Sequence, residues 1–212
     1  MPHNYILKRS SRKTLAIKIV DDKLYAYAPL LMPTKEIEQF IESHHRWIDK
    51  RLNNKRINVI FDLEHDEYIY LLGKRYKLNI VLNKKEDVNI SGDTLTISGK
   101  NINTIYRKYS YYLASIIEDY VDQIKKELRV DFYLQFKPYK SRWGCCYPKK
   151  RLIIMNLYTA CLPVELIKHV IYHEITHFKV NNHQQKFYIE LEKICPDYKK
   201  QIKELKNYTL HG

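Results

Sequence analysis

The stretch His173-Glu174-Ile175-Thr176-His177 follows the pattern HExxH, and the rest of the fold is predicted around it. On an α-helix, residues four positions apart lie on one face, so His173 and His177 project together. Two neutral imidazoles placed in this way can bind a zinc ion. Glu174 is rotated by about 100° from His173, which puts its carboxylate beside the metal rather than among its ligands. That position suits a general base that activates a zinc-bound water.

A third histidine follows six residues later, at His183. It can join the other two only if the helix ends and the chain turns back. Asn181 and Asn182 tolerate the left-handed conformation that ends helices. The spacing matches the metzincin pattern HExxHxxGxxH, with Val180 at the glycine position. Because valine is poor at positive φ, the sequence predicts that the asparagines make the turn and that His183 is the third metal ligand.

Two other interpretations of this region remain open. Glu190 or Glu192, on the next predicted helix, could supply the third ligand in place of His183, as in gluzincin-type sites. Alternatively, the two histidines of HExxH could be polar residues on a solvated helix face, with Glu174 as one more surface charge.

The composition is that of a folded globular protein, because 45% of the 212 residues are apolar and glycine and proline are few. No run of about 18 apolar residues predicts a membrane span. The N-terminus lacks the apolar segment of a signal peptide. The four cysteines show no CxxC spacing, so we expect reduced, partly buried thiols rather than a cysteine zinc site. Together these features predict a cytoplasmic protein.

The formal net charge of +13 favours anionic partners such as nucleic acid, nucleotides or acidic peptides. The positive side chains are spread along the chain and form no single long tract. The alternative is a lysine-rich surface with no specific anionic partner.

The predicted fold class is α+β. Residues 1–100 are predicted to be mostly β, with one long helix at about 34–53 and hairpins at 14–28, 68–82 and 88–97. A boundary is predicted at 99–103, so that 101–212 forms a zincin-like helical region with a small antiparallel sheet. The alternative is that the two regions form one continuous domain. The elements predicted within 101–212 are a helix at 104–130, a strand at 132–136, a hairpin of 142–147 with 152–157, the HExxH helix from Pro163, and helices at 184–194 and 198–208.

Several segments resemble the YgjP-like metallopeptidase domain, which typically shows SRWGSC, then HExxH, then NHS and FW. The matching segments here are Ser141-Arg142-Trp143-Gly144-Cys145-Cys146, Leu162-Pro163, the HExxH helix, Asn182-His183 and Phe187-Tyr188. The chain departs from the family pattern at Cys145, Gln184 and Tyr188, and none of these is a predicted metal ligand. Further landmarks extend the resemblance over nearly the whole chain: Arg9-Ser10-Ser11-Arg12, Ala28-Pro29, Trp47-Ile48 and Leu72-Gly73-Lys74-Arg75-Tyr76.

The resemblance implies a zinc-dependent hydrolase, usually described as a metallopeptidase, that is related in fold to SprT-like and WLM proteases. It implies His173, His177 and His183 as Zn²⁺ ligands and Glu174 as the general base. A peptide or protein would then be the substrate.

The donor that stabilises the oxyanion is less clearly indicated. Arg142 is one candidate, and Tyr158 and Tyr188 are others. Arg142 has a structural alternative, in which its cation stacks on the indole of Trp143.

Two competing functions use the same residues. A metal-dependent hydrolase could attack a nucleotide or phosphoester, because a metal-activated water can attack phosphorus as well as carbon. A zinc-stabilised basic protein could instead bind nucleic acid without catalysis, and Glu174 would then have no catalytic role.

Overall fold

The computed structural model describes residues 4–20, 23–53 and 56–210. The predicted turn at Asp21-Asp22 and the predicted helix end at Asn54-Lys55 lie outside the described residues. Contacts within the chain separate two units, Met1–Arg56 and Ile57–Gly212. In the described ranges, no helix is both long and apolar enough to cross a membrane.

The first unit contains a three-stranded sheet with β1 (Tyr5–Ser10), β2 (Ala16–Val20) and β3 (Lys23–Pro29). The central strand β3 is antiparallel to β2, which confirms the predicted hairpin, and parallel to β1. Alternate residues of β3 point inward, as the period of a strand requires. The buried core of this unit consists of Leu24, Ala26, Ala28, Ile37, Ile41 and Ile48.

The loop after β3 is held by the side chain of Arg9, at the end of β1. Its guanidinium donates hydrogen bonds to the carbonyl oxygens of Pro29 at 3.0 Å, Leu30 at 3.1 Å and Met32 at 2.7 Å. A guanidinium has five N–H donors in a fixed plane and can therefore hold several carbonyls together. These hydrogen bonds give a structural reason for the arginine at position 9, in the Arg9-Ser10-Ser11-Arg12 segment of the family resemblance.

The prediction of a single helix at 34–53 is wrong, because the structure contains two helices there, α1 (Thr34–Ser43) and α2 (His45–Asn53). The hydroxyl of Ser43 donates to the carbonyl of Phe40 at 2.8 Å, and Nδ1 of His44 lies 2.8 Å from the same oxygen. Side chains that bind nearby carbonyls compete with the helical ladder. His44 accordingly leaves helical geometry, with φ −105° and ψ 10°.

The second unit begins with β4 (Ile57–Asn58) and then forms a four-stranded sheet. Its strands are β5 (Tyr68–Leu71), β6 (Lys74–Leu82), β7 (Asp87–Ser91) and β8 (Thr94–Gly99), in the order β5-β6-β8-β7. The antiparallel pairs β5–β6 and β7–β8 confirm both predicted hairpins. The central pair β6–β8 is parallel.

The long helix α3 (Ile102–Leu128) follows directly. Its N-cap is Asn101, whose side chain accepts a hydrogen bond from the backbone of Thr104 at 3.0 Å. Its buried stripe has helical spacing, and one core joins it to the sheet and to the later elements. The buried residues of α3 are Ile105, Tyr109, Leu113, Ile117, Val121 and Ile124.

The remaining chain builds a second sheet and three helices. The strands are β9 (Tyr133–Lys137), β10 (Gly144–Tyr147) and β11 (Leu152–Asn156), with short 3₁₀ helices at Pro148–Lys150 and Leu157–Cys161. The helices are α4 (Val164–Thr176), α5 (Gln185–Ile194) and α6 (Tyr198–Leu205), and β12 (Tyr208–Thr209) pairs with β4.

The small sheet is mixed, which corrects the prediction of an antiparallel one. The pair β10–β11 is the predicted hairpin, but β9 lies on the other side of β11 and runs parallel to it. The loop 138–143 carries the chain across to the far side of β11 before β10 begins. The strands β9 and β10, which follow each other in sequence, are therefore not neighbours in the sheet.

The predicted boundary at 99–103 falls inside the second unit. There β8 is followed almost at once by α3, and the two elements share one buried core with α4. The division between the two compact units lies at residue 56, before β4.

The turn between β5 and β6 positions the start of α4. Gly73 has a φ of +78°, and its backbone N–H donates to the carbonyl of Cys161 at 3.1 Å. A Cβ added to Gly73 would lie 2.8 Å from Cγ of Pro163, the N-cap of α4. Glycine is therefore required here both by its backbone angle and by the close approach.

We expect Gly73→Ala to lower the free energy of unfolding by about 2–4 kcal/mol, since it adds backbone strain to a steric clash. Gly92→Ala is the matched control, because Gly92 has a φ of +58° but no atom within 4 Å of the added Cβ. That variant should lose only about 1 kcal/mol. Urea denaturation of both variants checks this, and equal losses would show that the contact with Pro163 has no energetic role.

Candidate metal centre

The first two histidines of the motif lie at the C-terminal end of α4. This helix is anchored by its buried residues, which include Ile167, Ile171 and Ile175. His173 and His177 follow on one face, and their ring centroids are 5.1 Å apart. A helix fixed along one side in this way holds the imidazoles on the other side in place.

The sequence predicted that left-handed asparagines make the turn that brings His183 back. This prediction is wrong. In the described part of the chain, the non-glycine residues with positive φ are Leu72, Arg129 and Arg151. The helix instead ends early, at Thr176, whose carbonyl accepts hydrogen bonds from the N–H groups of Lys179 and Val180. Val180 is buried with Phe187, so its side chain anchors the turn.

Three imidazoles converge after this turn. Nε2 of His183 lies 2.9 Å from Nε2 of His173, and one nitrogen of each of the three histidines lies within 4.8 Å of the others. Two nitrogens bound to one tetrahedral zinc ion would be about 3.3 Å apart. Among the residues that the structure describes, this is the one group of three metal-binding side chains. The donor set and its spacing therefore fit a zinc ion.

Phe187 supports all three rings, and sequence reasoning had given it no such role. Its ring centroid lies 4.9 Å from that of His173 and 4.7 Å from those of His177 and His183. It is completely buried. The signal in the sequence was an aromatic residue in the first turn of α5, four positions after the last histidine.

The imidazoles of His173 and His177 are held in surroundings that favour their neutral form. Burial, followed by the neighbouring histidines, lowers the pKa of His173 to about 3, and burial also lowers the pKa of His177. Nδ1 of His177 lies 3.0 Å from the carbonyl oxygen of Val180. When Nδ1–H donates to that oxygen, the lone pair of Nε2 is left free for a metal.

The two glutamates considered as alternative ligands are engaged elsewhere. Glu190 forms ion pairs with Lys179, at 3.3 Å, and with Lys193. Glu192 lies 3.4 Å from Lys199. Neither belongs to the group of converging side chains, so the geometry favours His183 over both.

Glu174 is buried against the sheet. Only 6% of its surface is exposed, and burial raises its pKa to about 7, against the opposing effect of the Arg142 charge. A Cβ added to Gly144 would lie 3.0 Å from both Cγ and Oε1 of Glu174. The glycine of the Arg-Trp-Gly segment thus leaves the space that the carboxylate occupies.

A fully buried amide holds this segment in place. Nδ2 of Asn156 donates to the carbonyls of Tyr139 and Arg142, both at 2.8 Å, and Oδ1 accepts from the backbone of Tyr139 and Tyr158. Thr159 Oγ1 adds a hydrogen bond to the carbonyl of Trp143 at 3.1 Å. Asn156 was not predicted as a site residue, although an asparagine before a helical turn is a typical N-cap.

A cavity of about 620 Å³ lies over the three histidines and Glu174. Arg142 lines it, and its guanidinium lies over the ring of Tyr139 at 5.5 Å rather than on Trp143. Tyr158 packs on Phe61, and Tyr188 packs on Phe187 and Tyr198, so neither tyrosine lines this cavity.

Two of the four free thiols also line the cavity, namely Cys145 and Cys146. Burial, together with the nearby charge of Glu174, raises the pKa of Cys146 to about 12. A thiol with that pKa stays protonated at neutral pH. Cys146 therefore contributes an uncharged wall to the cavity.

Three converging imidazoles beside a buried carboxylate, at the floor of a cavity, form the arrangement that metal-dependent hydrolases use. The chain belongs to the YgjP-like metallopeptidase domain family, whose model matches residues 13–208. This match confirms the resemblance drawn from the motifs, and it makes the chain a metallohydrolase.

Two solved structures are similar to parts of the chain. The metallopeptidase zymogen abylysin of Pyrococcus abyssi is 20% identical, with a TM-score of 0.36, over 44% of this chain and 98% of its own. The metallopeptidase zymogen jannalysin of Methanocaldococcus jannaschii is 28% identical, with a TM-score of 0.35, over 42% of this chain and 94% of its own. No curated protein shows significant sequence similarity to the chain.

We expect wild-type protein to carry about one zinc per chain and His183→Ala to carry much less, because the variant loses one of three ligands. Glu190→Gln is the matched control and should keep its zinc, since Glu190 is paired with lysines. Elemental analysis of the three proteins, purified side by side, checks this. Full zinc in His183→Ala would assign the third ligand to another residue.

Proposed function

We propose that this chain is a zinc-dependent peptidase that binds its metal with His173, His177 and His183 and uses Glu174 as the general base. The observation that carries the proposal is the convergence of three imidazoles beside a buried carboxylate, in a cavity of about 620 Å³. Membership of a metallopeptidase family supports peptides as substrates. The nucleotide and nucleic-acid partners suggested by the net charge gain no such support.

The three histidines would supply neutral nitrogen ligands on the cavity side of the protein. Three protein ligands are typical of catalytic zinc sites, whereas structural sites have four. Zinc bound there supplies a Lewis acid that lowers the pKa of water and polarises a carbonyl oxygen. The carbonyl of Val180 orients the ring of His177, and Phe187 packs beneath all three rings.

Glu174 would take the proton of the attacking water and pass it to the departing amine. With its pKa raised to about 7 by burial, the carboxylate can both accept and release a proton near neutral pH. Arg142 is the only lysine or arginine among the described residues that line the cavity. We assign to it the stabilisation of the negative charge that develops on the carbonyl oxygen.

Glu174→Gln should lower kcat by about 10²- to 10⁴-fold while the zinc content is unchanged, because the amide cannot accept a proton. Glu165→Gln is the matched control, since Glu165 is an exposed residue in the first turn of the same helix. Mass spectrometry of a peptide mixture incubated with each zinc-loaded protein measures the loss. Wild-type turnover in Glu174→Gln would show that another group is the base.

Gly144→Ala should lower kcat by about 10- to 100-fold, because the added methyl group would displace the carboxylate of Glu174 from its position. Zinc content and melting temperature, measured on the same sample, separate this effect from loss of the site or of the fold. Unchanged kcat would mean that the position of the carboxylate is not set by this contact.

A further inference from the structure

A second cavity, of about 260 Å³, lies beside the one over the three histidines. We call it the side chamber. The two cavities share four lining residues, namely Arg142, Gly144, His173 and Glu174. The side chamber therefore meets the main cavity at the proposed general base, where a scissile peptide bond would lie.

The rest of the chamber wall is mostly apolar. It is formed by Trp143 from the segment before β10, by His169 and Val170 from α4, and by Leu205 at the end of α6. Nδ1 of His169 lies 3.8 Å from the sulfur of Cys195, which is not a lining residue of the chamber. Of the described residues that line the chamber, Glu174 is the only acidic one.

The size of the chamber limits what can enter it. Pockets that hold whole small-molecule ligands usually measure about 300–1,000 Å³. The side chamber is smaller, so it suits a single side chain. An indole, a valine and a leucine in its wall favour an apolar side chain, because burial of apolar surface is favourable and unpaired polar groups are costly to bury.

We propose that the side chamber is a specificity pocket that takes one large apolar side chain, of the leucine or phenylalanine type, from the peptide residue next to the scissile bond. This inference rests on the proposed peptidase function. Leu205 lines the pocket from α6, whereas His173 and Glu174 line it from α4, so Leu205 can be replaced without changing a proposed ligand or the proposed base.

The test uses zinc-loaded full-length protein and peptides that differ only in the residue beside the cleaved bond, which is alanine, leucine, phenylalanine or aspartate. A pocket that accommodates several additional methylene groups should give the leucine and phenylalanine peptides a kcat/KM at least about tenfold above that of the alanine peptide. Leu205→Trp should fill the chamber and bring this ratio close to one. Leu205→Ala should enlarge it and shift the preference towards tryptophan.

Lys203→Trp is the matched control, because it adds an indole at an exposed position of α6 that does not line the chamber. In this variant, the ratio of kcat/KM for the leucine or phenylalanine peptide to that for the alanine peptide should equal the wild-type ratio. Zinc content, measured for every variant, shows whether the metal site is intact. Binding of the same peptides to Glu174→Gln, measured by calorimetry, should give the same order of affinity without turnover.

The possible failures are distinguishable. If zinc-loaded wild-type protein cleaves none of the peptides, both the proposed function and the proposed specificity pocket are wrong. If peptides are cleaved with no difference between leucine and alanine, or with a ratio that Leu205→Trp leaves unchanged, only the pocket is wrong. A preference for aspartate would also overturn it, in favour of an acidic side chain bound by Arg142.

Discussion

The close approach between Gly144 and Glu174 is the constraint on which the site depends. The strand β10 packs so tightly on α4 that a Cβ at residue 144 would lie 3.0 Å from the carboxylate. This packing removes the carboxylate from water, and the loss of hydration raises its pKa to about 7. A more distant strand would leave an ordinary surface glutamate with a lower pKa.

The approach of the strand is maintained by hydrogen bonds that lie outside the cavity. The amide of Asn156 is fully buried and donates hydrogen bonds to the carbonyls of Tyr139, before the Ser-Arg-Trp segment, and of Arg142, within it. A buried amide with its partners in place fixes the path of the chain, because any shift would leave polar groups unpaired. Asn156 thereby helps to position the segment that contains Arg142, Trp143 and Gly144. Arg142 and Gly144 line both cavities, and Trp143 lines the side chamber.

The errors of the sequence-based fold have two physical causes. Both hairpins of the larger sheet and the helix α5 were predictable, because their signals lie within a few consecutive residues. The break at His44 and the parallel pairing of β9 with β11 were not. The break accompanies side-chain hydrogen bonds that apolar periodicity does not report. The parallel pairing depends on which segments meet, which no local pattern of apolar residues specifies.

The sequence by itself determined that His173 and His177 share one helix face with Glu174 beside them, because the helical period is a local property of the backbone. It also indicated His183, but for an incorrect reason, since the turn needs no left-handed asparagine. Only the tertiary structure decided that the third imidazole reaches the first two, that Glu174 is buried and that a side chamber opens beside it. These features require β10, α5 and α6 to meet α4, and such contacts form only when distant segments pack into one core.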